Sequence, residues 1–109
     1  MAFDEGLAQR IRERLAGTGG LSEKQMFGGI SFLVDGNMCV GVIGDELIAR
    51  VGPQATEAAL GRPGSRLFDF SGRPMKGWIT VDPDALEADE ALAAWIDEAL
   101  RFIRTLPPK

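Results

Sequence analysis

Apolar residues set the first element by their spacing. Phe3, Leu7, Ile11 and Leu15 recur at four-residue steps and are joined by Ala8, which predicts one buried stripe on a helix. Asp4 and Glu5 fall in its first turn and Arg10, Arg12 and Arg14 toward its end, the polarity that a helix dipole favours. "GTGG" at 17–20 stops it. From "MFGG" at 26–29 the period changes to two. Ile30, Phe32 and Val34 alternate with Ser31 and Leu33, and Met38, Val40 and Val42 with Cys39, Gly41 and Ile43. Asp35-Gly36 between the two runs suits a tight hairpin turn, Gly44-Asp45 suits another, and Leu47 to Val51 completes a three-stranded antiparallel meander. Gly52-Pro53 then breaks the sheet, and "PQATEAAL" predicts a short helix closed by Gly61. A short strand around Leu67 to Phe70 and a fifth strand "WITV" follow. From Asp89 to Leu106 the period returns to 3.6, with Leu92, Trp95, Ile96, Ala99, Ile103 and Leu106 on one face. Asp97 and Arg101 make an i,i+4 pair on the other face, Leu100 and Phe102 widen the apolar face toward a partner surface, and Pro107-Pro108 ends the helix.

The order is α-β-β-β-α-β-β-α, with strands clustered and hairpin-linked. That places the chain in the α+β class, as a mainly antiparallel sheet of about five strands with flanking helices. The 109 residues suit one domain spanning 1–109, with ordinary apolar (45%) and charged (26%) fractions. The net charge of -4 disfavours binding to nucleic acid or anionic membranes by bulk attraction. Cys39 is the single cysteine, so no intrachain disulfide forms, and the acidic N-terminus has no apolar core of a signal peptide; both fit the cytoplasm. No run approaches the ~20 apolar residues of a membrane helix. Histidine and tyrosine are absent, which removes Ser-His-Asp, Cys-His and His-ligated zinc chemistry from a single chain.

Several stretches invite a chemical reading. Cys39 lies in a strand without a histidine to activate it and reads as a small buried hydrophobe. "GTGGLS" follows a helix rather than a strand and fails as a phosphate loop. "DPDALEADE" at 82–90 fails the calcium-loop pattern, because Glu87 and Ala93 stand where glycine and glutamate belong, and reads as helix-start acid. No metal or cofactor is expected. Arg10, Arg12 and Arg14 read as a solvated face. Met26, Phe27, Gly28 and Gly29 put two glycines into a strand, a mark of a bend or of close backbone approach, and a candidate groove for a ligand or protein segment. In "GRPMKGW", Gly72, Pro74 and Gly77 supply turn chemistry, and Met75 and Trp78 supply bulk. Arg73 and Lys76 are not needed for a turn. They either pair with nearby carboxylates or join Arg50 in gripping an anion.

"MFGG", the Asp-Gly hairpin before "NMCVGV", "LIARV", "GRPMKGW" and the terminal "IRTLPPK" together resemble the N-terminal domain of the TfoX/Sxy family, over about Leu7 to Lys109. The resemblance implies an antiparallel sheet with flanking helices, similar to secretion-chaperone-like domains, that often pairs as a homodimer through the last helix or an edge strand. It also implies a regulatory or accessory role, after a family named for control of competence genes. Longer members carry a second, helical domain suspected of nucleic-acid contact. The leading expectation is a non-enzymatic cytoplasmic domain acting through a protein partner. The alternatives are direct nucleic-acid binding through Arg50, Arg73, Lys76 and the first-helix arginines, and a small-anion binder or enzyme centred on Arg73 and Lys76.

Overall fold

The computed structural model describes residues 3–26, 28–70 and 72–109, with Met26 and Phe70 described by their backbone. Three helices and six strands follow one another along the chain: α1 (Glu5–Leu15), β1 (Leu21–Met26), β2 (Gly29–Val34), β3 (Asn37–Ile43), β4 (Glu46–Arg50), α2 (Thr56–Leu60), β5 (Ser65–Phe70), β6 (Arg73–Val81) and α3 (Asp89–Ile103). Short 3-10 turns at Pro53–Ala55 and Pro83–Leu86 precede α2 and α3. All strands are antiparallel and form one open sheet in the order β1-β2-β3-β4-β6-β5. The expected α+β class holds, with one strand more than the spacing shows. β1 escapes the pattern because Ser22, Glu23, Lys24 and Gln25 are all polar and exposed. Its strand conformation comes from pairing with β2, and a charged residue on such an edge discourages further strand addition.

Local chemistry accounts for the elements. Asp4 caps α1, accepting from the Leu7 amide at 3.1 Å. Asp35 and Gly36 both take positive φ, 52° and 84°, as a tight turn between β2 and β3 requires. The α1 stripe Leu7, Ala8, Ile11, Leu15 and the α3 stripe Leu92, Trp95, Ile96, Ala99, Ile103 are buried against one face of the sheet, on Phe32, Val40, Val42, Leu47, Ala49, Ile79 and Val81. Leu100 and Phe102 pack against this same core, so the bulk expected to reach a partner is largely used within the chain. Among the described residues the opposite face receives no helix. There Met38, Ile48 and Phe68 form a separate buried cluster, rimmed by half-buried Ile43, Met75 and Trp78.

The first-helix arginines stay partly exposed and also act as struts. Arg10 reaches the Leu86 carbonyl (2.8 Å) and Asp89 (3.1 Å), Arg12 makes a bidentate pair with Glu23 (2.8 and 3.0 Å), and Arg14 takes Asp97 (3.1 Å). Arg14 therefore displaces the expected Asp97–Arg101 pair, because α1 and α3 lie side by side on the sheet. The acidic stretch 82–90 is used in the same way: Asp82 and Glu46 share Arg66, and Asp89 holds Arg10. Among the described residues no group of acidic or cysteine side chains is arranged to hold a metal ion. No described helix is long and apolar enough to cross a membrane.

Met26 closes β1 and Gly29 opens β2, so Gly28 and Gly29 fall where the two strands join and not inside one. The expectation of close backbone approach survives at Gly29 alone. A Cβ there would stand 2.0 Å from the Val42 carbonyl oxygen, whereas one at Gly19 would meet nothing within 4 Å. Gly29→Ala is therefore expected to destabilise the fold by ~1–3 kcal/mol, since β2 and β3 must part to admit it. Gly19→Ala should stay within ~0.5 kcal/mol of the native chain. Urea midpoints for the two variants check this, and equal midpoints would contradict the packing described.

Candidate functional site

The two stretches expected to converge lie apart. The β1–β2 turn with Gly28 and Gly29 sits at the end of the sheet where β3 passes into β4, and near the β1 edge. The β5–β6 turn with Gly72 sits at the opposite end, near the other edge. Phe27 lies outside the described residues. Gly28 is exposed, and nothing approaches within 4 Å of where its Cβ would stand.

"GRPMKGW" is mostly strand rather than turn. Arg73, Pro74 and Met75 pair with Phe70, Asp69 and Phe68. Pro74 is tolerated because β4 ends at Arg50, opposite Trp78, so β6 overhangs it and no ladder bond is lost on that side. The register with β5 then jumps, and the extra residues bulge toward the corner where β4 ends. Gly77 is the pivot. Its φ is +92°, its carbonyl accepts from the Val51 and Gly52 amides (2.9 and 3.1 Å), and a Cβ would stand 3.1 Å from Gly52 and Pro53 backbone. Both the φ and the space call for glycine.

That bulge sets Trp78 beside Arg50. The Arg50 guanidinium carbon lies 5.0 Å from the Trp78 ring centre and 5.6 Å from that of Phe102, and Trp78 in turn leans on Phe68 at 6.5 Å. Such cation–ring contacts are worth ~0.5–2 kcal/mol as the site dries. Arg50 is half-buried, and burial pulls its pKa below the ordinary arginine value. Arg73 and Lys76 are exposed. Among the described residues no carboxylate pairs with Arg50, Arg73 or Lys76, nor with Arg101 or Arg104. Of the two readings of Arg73 and Lys76, pairing with nearby carboxylates finds no ion pair among the described residues. Asp69 stands across from Pro74, yet no ion pair joins it to either cation among the described residues, and Glu46 and Asp82 are held by Arg66 at the far end of the strands.

Next to the Gly77 corner is a cavity of about 470 Å³. Residues 51–54 form one wall, and Glu98, Arg101, Phe102 and Thr105 the other. Of these, only Phe102 carries a contact role in the sequence, toward a partner surface. The available signal was that Arg101 and Phe102 stand off the buried stripe of α3, facing the corner that Gly52-Pro53 makes.

Cys39 is the only described thiol and is disarmed. It sits at a bulge of the β2–β3 ladder, fully buried, and burial pushes its pKa up from 9.0 to about 12, against the smaller pull of Arg104 and Arg50. The folded thiol keeps its proton where the unfolded thiol loses it. Its contribution to stability is whole below pH 9 and drains as pH climbs toward 12. Native chain should lose up to about 1.4 kcal/mol per pH unit in that window from this group. Cys39→Ala lacks the slope, so the stability gap between the two should narrow as pH rises. Urea titrations at several alkaline pH values read it, and a constant gap would contradict the burial assigned to the thiol.

Comparison with known proteins bears on the whole arrangement. No curated protein matches the chain. The family model described as the TfoX N-terminal domain matches residues 13–103, from the second half of α1 to the last residue of α3. The matched span takes in the whole sheet, the Gly77 bulge, Arg50 and most of the cavity wall, and the chain belongs to the TfoX N-terminal domain family.

Proposed function

We propose that this TfoX N-terminal domain is a non-enzymatic cytoplasmic module that acts through protein contact, in a regulatory or accessory role of the kind the family is named for, including transcriptional control of competence-type genes. The observation that carries the reading is the sheet face without helices. Ile43, Met75 and Trp78 stand half-buried around the Met38–Ile48–Phe68 cluster and offer a protein partner an apolar surface already backed by a packed layer. The disarmed Cys39 and the absence of histidine and tyrosine from the sequence support a binding role over a catalytic one. Direct nucleic-acid binding loses much of its expected patch, since Arg10, Arg12 and Arg14 are committed to the chain's own acceptors.

Immobilised native chain should retain a specific host protein, and Ile43→Glu and Met75→Glu should each cut retention ~10-fold or more, because each would bury a charge in the contact. Circular dichroism and urea midpoints confirm that the variants are folded. Retention of no protein above background overturns the contact reading. Undiminished retention by both variants moves the contact off this face.

A further inference from the structure

We propose that the corner between the end of β4 and α3 binds a small amphipathic anion, meaning an aromatic or apolar body carrying a carboxylate or phosphate group. This site adjoins the protein-contact face at Arg50, which stands between Trp78 and Phe102, but does not depend on that face. Three observations converge there. The first is size: the cavity of about 470 Å³ falls within the ~300–1,000 Å³ of small-molecule sites. The second is a fixed apolar floor. The Phe102 ring is pinned between Gly52, where a Cβ would come within 2.5 Å of the ring, and the Arg50 guanidinium. Val51 and Pro53 extend the apolar surface along the opposite wall.

The third is charge. The carboxylates nearest the site are already satisfied: Glu98 is held by Arg62 at 2.6 Å, and Asp97 by Arg14. Arg101 therefore lines the cavity as an exposed cation with no carboxylate partner among the described residues. Arg104 follows one turn later in the chain, and both border a second hollow on α3. The corner thus offers a planar guanidinium fork beside an aromatic floor, a pairing that suits an anionic group on an apolar body. A small ligand fits better than a polyanion. The chain's net charge of -4 repels a long phosphate backbone, and the cavity is bounded by residues 51–54 on one side and by α3 on the other. Thr105 and Gln54 add polar contacts at the walls.

The test is a titration of isotope-labelled native chain followed by amide NMR. The probes are phenyl phosphate, benzoate, inorganic phosphate and benzyl alcohol. At least one of the two aryl anions should shift the amides of Gly52, Gln54, Arg101 and Thr105 saturably, with a Kd of ~0.1–1 mM, and the stronger of the two names the anionic group. Arg101→Gln should weaken that binding ~10-fold, Arg101→Lys less, and Arg73→Gln should leave it unchanged. Arg101 and Arg73 are exposed, and unchanged urea midpoints for the variants verify the fold. No saturable shift from either aryl anion at ~10 mM overturns the proposal. Equal response to benzyl alcohol overturns the anion requirement, equal response to inorganic phosphate overturns the apolar one, and native-like binding by Arg101→Gln overturns the placement.

Discussion

An antiparallel sheet sends alternate side chains to two faces, and in this chain only one of them is roofed. α1 and α3 lie over β2, β3, β4 and β6, where Phe32, Val40, Leu47, Ala49 and Ile79 are shut from water. Two helices cannot also serve the second face, so that face must manage its own apolar residues. It does so with long, adaptable side chains, Met38 and Met75, packed beside Ile48, Phe68 and Trp78. The remaining features of the domain follow from this one-sided covering: the helix struts, the bulge in β6 and the half-exposed rim on the open face.

The struts show how charge is spent. α1 is tied to β1 through Arg12–Glu23, to α3 through Arg14–Asp97, and to the start of α3 through Arg10–Asp89. Exposed pairs of this kind are each worth ~0–1 kcal/mol, so they orient helices more than they stabilise the fold. Their larger consequence is indirect. By occupying Asp97 and Glu98, Arg14 and Arg62 leave the cations at the end of the last helix, Arg101 and Arg104, without carboxylate partners among the described residues. The free arginines at the end of the sheet are a by-product of where the bound ones were placed.

The legibility of the sequence divides along physical lines. The buried stripes of α1 and α3 and the alternating runs of β2, β3 and β4 were readable, because a hydrophobic face repeats with the period of its element. β1 was not, because its polar residues carry no alternation and only its partner strand makes it a strand. The family motifs were readable as motifs but not as geometry. "MFGG" and "GRPMKGW" share glycines and bulk, yet strand order sends them to opposite ends of the sheet. Ion pairing was the least legible of all. The i,i+4 rule assigns Asp97 to Arg101 from helix geometry alone, and it cannot foresee that Arg14 approaches from a neighbouring helix.

Gly77 connects the family motif to the site most directly. The motif is conspicuous for its cations, but Arg73 and Lys76 stand in solvent and hold nothing among the described residues. The glycine two residues before the core of the strand does more. It lets β6 bulge, and its carbonyl takes two amides from the corner at Val51 and Gly52. That corner pins Phe102, and Phe102 with Trp78 brackets Arg50. A side chain at position 77 would press on Gly52 and Pro53 and would also be held in a strained backbone region. The motif therefore shapes the cavity from behind, through backbone, while the cation and the ring that face it, Arg101 and Phe102, come from α3. A sequence motif can mark the support of a site and leave its charged and aromatic contacts, here Arg101 and Phe102, to residues outside any motif.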